Sequence, residues 1–353
     1  MSRVVVIFIF VILSVVCICQ ESKTNFYLAF GSCCHQDKPQ PIWDAVVASQ
    51  PDVFLFLGDN IYADTSDMDV MRAKYKRFSA EPGFQKLKKT CPIIATWDDH
   101  DYGYNDAGAS YSRKKESQQI FLDFFGEDLQ SQRRKTPGIY TSYFYTLGDK
   151  KIQIILLDVR YFRTPLLRIL DQEKQLQRKK KYMGAYVPVN YEGATMLGAT
   201  QWKWLEKELQ KPAAVRIIAT STQFLTYFNG WEAWQNMPDE YQRMLNLIRK
   251  TQANGVFFVS GDTHWAELSK VQTPGLYPIY DLTSSGLTEV WEGLGPNKHR
   301  MKSYLGENFG GVTLTTLGND VQISLEIFDI NGKVKIKQTI RASELQIKKK
   351  DKK

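Results

Sequence analysis

Short apolar runs recur along the chain at residues 27–30, 53–57, 93–96, 152–157, 216–220 and 256–260. Their length and their β-branched and aromatic content read as buried strands. Segments 41–49, 201–210 and 239–252 instead space their apolar residues at helical intervals. This β-α-β alternation predicts an α/β architecture. A last pair of strands is expected at 312–317 and 321–328, with Gly318-Asn319-Asp320 as the hairpin turn. The polar, basic stretch 164–193 reads as a surface insertion beside a crevice.

Polar residues follow a pattern of their own. Phe30 leads into Gly31-Ser32-Cys33-Cys34, and Leu57 into Gly58-Asp59-Asn60. Thr96 leads into Trp97-Asp98-Asp99-His100-Asp101, Leu157 into Asp158-Val159-Arg160, and Ser260 into Gly261-Asp262-Thr263-His264. In open α/β sheets the carboxyl ends of strands border one ligand crevice. Clusters far apart in sequence are therefore expected to meet in space.

Composition sets outer limits. The chain has 353 residues, of which 43% are hydrophobic, so a large core can form and wholesale disorder is excluded. The formal charge of +8 is concentrated at 133–135, 178–181 and 348–353. These runs read as solvated loops and a disordered basic tail from 342 to 353. No helix-turn-helix or zinc-finger pattern accompanies the charge, which argues against a nucleic-acid module. At the N-terminus, Arg3 precedes a run from Val4 to Cys19 broken only by Ser14. It reads as a signal peptide over 1–19, cleaved before Gln20, with an uncleaved anchor as the alternative. The expected product is a secreted, soluble chain with one catalytic domain over 20–341. Cys33, Cys34 and Cys91 then remain. An odd number in an oxidising compartment suggests one metal-binding thiolate, Cys33, and a Cys34–Cys91 disulfide.

The clusters carry recognisable chemistry. A carboxylate after Gly58, such as Asp59, can bridge two hard cations, and Tyr62 can offer a phenolate to ferric iron. Adjacent carboxylates at Asp98, Asp99 and Asp101 repel one another unless cations neutralise them. His100 beside them can protonate a leaving oxygen. Asp262 and His264 form a carboxylate–imidazole pair of the kind that binds catalytic ions. Arg160 can grip a phosphate oxygen or form an ion pair. Each motif alone also fits an ordinary turn or cap.

Taken in order, these motifs, with Leu157-Asp158-Val159-Arg160-Tyr161 and Met196-Leu197-Gly198…Gln201-Trp202…Trp204-Leu205, resemble the PhoD-like alkaline phosphatases of the metallophosphoesterase superfamily. The resemblance spans about residues 27 to 288. It implies a four-layer α/β/β/α sandwich and a site holding iron and calcium. Cys33, Asp59 and Tyr62 are then iron ligands, completed by His264 or Asp262. Asp98 and Asp99 serve the second metal, His100 is the catalytic histidine, and Arg160 contacts phosphate. Asp101 departs from the Glu of many bacterial relatives. The implied activity is hydrolysis of phosphate esters through a metal-bound hydroxide. A diesterase acting on nucleic acid or phospholipid, and a non-catalytic metal or phosphate binder, are the alternatives.

Overall fold

The computed structural model describes residues 23–189 and 191–348. The expected signal peptide and the last basic residues lie outside them. In chain order, β1 (Asn25–Gly31), α1 (Ile42–Ala48), β2 (Val53–Leu57), α2 (Met68–Ser79), α3 (Pro82–Thr90) and β3 (Ile93–Thr96) come first. Next are α4 (Asp99–Tyr102), α5 (Lys114–Phe124), α6 (Gln132–Lys135), β4 (Thr141–Leu147) and β5 (Lys150–Leu156). The insertion holds β6 (Leu167–Arg168), α7 (Gln172–Lys179) and β7 (Tyr186–Val187). Then follow α8 (Gly198–Leu209), β8 (Val215–Thr220), α9 (Pro238–Lys250), β9 (Val256–Ser260), β10 (Ala266–Val271) and β11 (Ile279–Ser284). The last strands are β12 (Arg300–Tyr304), β13 (Asn308–Leu317), β14 (Asp320–Asp329) and β15 (Val334–Arg341).

Two sheets result. One runs β15-β14-β13-β1-β2-β3 and the other β12-β10-β11-β9-β8-β5-β4. Strands β1, β2 and β3 are mutually parallel, as are β5, β8, β9 and β11. Alternation along the strands sorts side chains to opposite faces. Leu28, Phe30, Leu55 and Leu57 enter the core shared with Ile154, Ile217 and Phe257 of the second sheet. Ala29, Phe54 and Phe56 face the other way, against Trp43, Phe78, Phe84 and Phe121 of the helices. Strands β8 and β9 are buried throughout, and Trp202, Leu205, Met244 and Ile248 of α8 and α9 pack against them. The layers are thus helix, sheet, sheet, helix, as the resemblance implies. Among the described residues no helix is long and apolar enough to cross a membrane.

Three expectations change. The cysteines Cys33, Cys34 and Cys91 are all free and buried. Cys34 sits by Gln40 with its Sγ 3.4 Å from Oε1, so it makes no bridge to Cys91. The basic run at 133–135 is not a solvated loop: Arg133 is buried, pairs with Glu127 at 3.2 Å and donates to Ala95 O at 2.8 Å. A buried guanidinium can be tolerated because its donors find partners. Likewise Arg178 donates to Tyr186 O at 2.6 Å and stitches the insertion to itself.

The third change concerns the tail. Ordered structure continues past residue 341: Leu345 is fully buried, and Gly255 N–H donates to Leu345 O at 2.7 Å. Ile347 N–H donates to Asn254 Oδ1 at 2.9 Å. A single apolar side chain entering the core outweighs the surrounding charge. Leu345→Ala should therefore lower unfolding stability by roughly 2–5 kcal/mol, measured by urea denaturation. A change within error would show that the tail contributes nothing.

Candidate metal centre

The parallel strands of both sheets end on one side of the molecule, and their following residues build the centre. Ser32 and Cys33 follow β1, Asp59 follows β2, and Asp98 and Asp99 follow β3. Ser221 follows β8, Asp262 and His264 follow β9, and Ser285 follows β11. The sheets are tied together here by Thr96 Oγ1, which donates to Leu157 O at 2.9 Å, while Gly261 N–H donates to Ser221 O at 3.0 Å between neighbouring strand ends of the second sheet.

Turning side chains into this edge strains the backbone. Cys33, Asp59, Asp262 and His264 all have left-handed φ values, of 61°, 50°, 71° and 62°. Such conformations cost on the order of 1–3 kcal/mol per non-glycine residue and gather at functional sites. Gly58 precedes Asp59 with φ of 101°, and a Cβ there would lie 2.5 Å from Asp98 Cβ. Only glycine lets the loops after β2 and β3 approach so closely.

Among the described residues four groups of donor atoms result, each with its atoms within 4.8 Å of one another. They are Cys33–Asp59–His264, Asp59–Asp99–His100, Asp59–Asp98–Asp99–Asp262 and Asp99–Asp106–Glu232. Tyr62 joins the first group, its hydroxyl 3.3 Å from His264 Nε2. Every site residue expected from sequence therefore lies in one region, and Asp59 belongs to three of the groups.

Electrostatics distinguishes them. Burial pushes Asp59 and Asp262 well above the usual carboxylate range, and neighbouring carboxylates, Asp99 and Asp98 foremost, push them further. Burial also acts against Asp99, but Arg160 and His100 outweigh it and hold the group at about 2. Burial disfavours the His100 cation, yet Asp59, Asp64 and Asp99 raise the imidazole to about 10. Burial lowers His264 to about 4 and raises Cys33 to about 12. Asp98 Oδ2 and Asp99 Oδ1 are buried without a hydrogen-bond partner. Buried, repelling carboxylates with orphaned oxygens match the donor set that cations require.

The expected residues do not all stand in the same relation to the cleft. Arg160 is fully buried, bonds Asp98 through Nε, and lies 2.5 Å from Glu232 and 3.5 Å from Asp99. Its guanidinium faces three carboxylates inside the protein and does not border the cleft, so the pairing is internal and not at the surface. The reason is tertiary: Glu232 and Asp98 come from different loops and enclose it. Asp101 turns away from the cleft and clamps the loop after β2, accepting from Asn60 Nδ2 at 2.5 Å and from Asp98 N at 2.7 Å.

Other participants carried weak sequence signals. Glu232 lies in a loop without an acidic cluster. Asp106 belongs to the run after α4, where its N–H donates to Asp99 Oδ2 at 2.6 Å. Asp64 accepts from His100 Nδ1 at 2.8 Å. Ser285 Oγ is 3.1 Å from Cys33 Sγ and accepts from His264 N at 2.8 Å. No local pattern marks a serine or a lone acid as a neighbour of residues hundreds of positions away.

The Arg160 assignment has a direct consequence. Arg160→Leu should strand Asp98 and Glu232 and destabilise the chelated protein by roughly 3–5 kcal/mol, read by denaturant unfolding. A phosphate-gripping arginine would leave stability near the wild-type value.

Comparison with known proteins bears on the family and the fold. The PhoD-like phosphatase family model matches residues 28–295. Alkaline phosphatase D of Bacillus subtilis (strain 168) is 20% identical over 337 residues, covering 85% of this chain and 50% of that protein. The chain thus spans about half the length of that curated relative. The solved structure of PhoD aligns with a TM-score of 0.68 at 15% identity, over 90% of this chain and 69% of that one. A dimetal phosphatase from Danio rerio aligns with a TM-score of 0.48 at 13% identity, over 92% and 99%. With the family model extending over residues 28–295 of 353, the chain belongs to the PhoD-like phosphatase family.

Proposed function

We propose that this chain is a metal-dependent hydrolase of phosphate esters. The observation that carries the reading is Asp59, a buried carboxylate common to three of the four donor groups. A side chain so placed would contribute to two neighbouring ion sites.

Donor chemistry divides the ions. Cys33, Asp59 and His264, with Tyr62 beside them, offer sulfur, oxygen and nitrogen, a set suited to a transition ion such as iron. Asp59, Asp98, Asp99 and Asp262 offer oxygen alone, which suits a hard ion such as calcium. On this division His264 would hold the first ion and Asp262 the second. Bound there, the cations supply Lewis-acid polarisation of the phosphoryl group and lower the pKa of water.

The chain's own residues do the remaining work. Asp64 holds His100 Nδ1 and so orients the imidazole at the cleft floor, where it gives a proton to the departing oxygen. Arg160 fixes Asp98 and Asp99 without occupying the cleft. Burial of the acids keeps water from screening the charges that develop. Residues 20–341, extended by the packed segment through Leu345, form the catalytic unit, and the leader at 1–19 directs the chain to the secretory pathway.

The test is phosphate release by purified protein, paired with elemental analysis. Chelation should abolish turnover, and added metal should restore it. Asp59→Asn should lose both metal and activity while remaining folded by circular dichroism. His100→Ala should keep its metal and lose about 10²–10⁴ in kcat. Full turnover after stripping would refute the assignment. Parallel assays with bis(4-nitrophenyl) phosphate separate a diesterase from a monoesterase.

A further inference from the structure

The cleft above the carboxylates has a volume of about 830 Å³, much more than a phosphate group fills. Asp59, Asp99, His100, Asp262 and His264 border one part of it. Trp231, Trp291, Tyr182, Met183 and Leu176 border another. The second set has no part in holding ions or orienting His100.

This apolar wall starts at the ion-binding residues themselves. Trp291 N–H donates to His264 O at 3.0 Å, and the two rings lie 5.9 Å apart at 84°. Trp231 continues the wall, edge to face with Trp291 at 4.6 Å. Its Nε1–H donates to Tyr182 O at 2.8 Å and so reaches the insertion.

The wall is built in advance. Gly184 N–H donates to Asn229 O at 3.0 Å, and Tyr186 N–H to Gly230 O at 2.8 Å. A Cβ on Gly184 would meet Gly230 O at 2.2 Å, so the two backbones are in direct contact. The Tyr182 ring packs on Gly293, where a Cβ would lie 2.1 Å from Cε1. Three separate segments therefore fix the aromatic surface before any ligand arrives, and a preformed apolar surface loses little on binding.

We propose, on the reading of the centre as a phosphate-ester hydrolase, that this wall is the subsite for the alcohol part of the substrate. The class it selects is phosphate esters with a flat apolar group next to the ester oxygen, such as benzyl-type esters, in preference to glycerol or sugar phosphates. Trp291 and Trp231 receive the flat group, and Leu176 of α7 closes over it.

The test compares benzyl phosphate with 2-hydroxyethyl phosphate on the metal-loaded enzyme. Both leaving groups are primary alcohols of similar acidity, so the comparison reports the wall more than the chemistry. The expected kcat/KM ratio favours benzyl phosphate by about 10- to 100-fold, the effect of burying one aromatic group. Trp291→Ala and Leu176→Ser should each pull the ratio toward one. Leu176 is 61% exposed, so its replacement cannot unfold the protein. Calorimetric titration gives a readout independent of turnover: benzylphosphonate should bind more tightly than methylphosphonate, and Trp291→Ala should erase the difference. Equal ratios and equal binding in the wild type overturn the subsite. Preferential benzylphosphonate binding without release from either ester supports the subsite and overturns the hydrolase reading instead.

Discussion

Mutual repulsion of buried carboxylates is the constraint around which this molecule is arranged. Asp59, Asp98, Asp99 and Asp262 bring oxygens within 4.8 Å of one another, and Arg160 lies buried among them with a full charge. At such separations each ionised pair repels by roughly 3–4 kcal/mol for an effective dielectric near 20. One guanidinium, shared with Glu232, cannot compensate all of them. Burial first, and this repulsion second, push Asp59 and Asp262 well above the usual carboxylate range. Added cations relieve the repulsion, and they reverse the local logic for every neighbour. Burial disfavours the His100 cation, but Asp59, Asp64 and Asp99 around it raise the imidazole to about 10.

The backbone bears a matching burden. Left-handed conformations at Cys33, Asp59, Asp262 and His264 aim side chains inward from strand ends that would otherwise run past the centre. Two packed sheets supply the stability that this strain consumes. Strands buried on both faces, such as β8 and β9, give the loops a rigid base. Asp101 shows how tightly the loops are coupled, since it holds both the Asn60 side chain and its own helix start.

The insertion between β5 and α8 adds what the sheets cannot. Asp106 links it to the centre: Arg168 donates to Asp106 Oδ2 at 2.9 Å, Tyr186 OH bonds the same carboxylate, and Asp106 N–H holds Asp99. Movement of the insertion would therefore be felt at a proposed ligand. Charge on the insertion is partly spent on this internal stitching, as with Arg178, instead of being displayed to solvent.

Much of this was determined by sequence alone. Strand-length apolar runs specify β1, β2, β3, β8 and β9 because burial on both faces leaves no other reading of Val-, Ile- and Phe-rich segments. The polar residues that follow specify the members of the centre, because a carboxylate or imidazole directly after a buried strand has few places to go. Tertiary structure alone decided which partners those members meet. Arg160 became a buried counter-ion because Glu232 and Asp98 arrive from separate loops. Leu345 joined the core because the Asn254–Gly255 turn lies beside it. Cys34 and Cys91 stayed apart although counting suggested a pair. Local pattern reports which side chains must be buried or aimed at an edge. It carries no information about which distant partner will be waiting there, and partnership, through distance and dielectric, sets charge state and role.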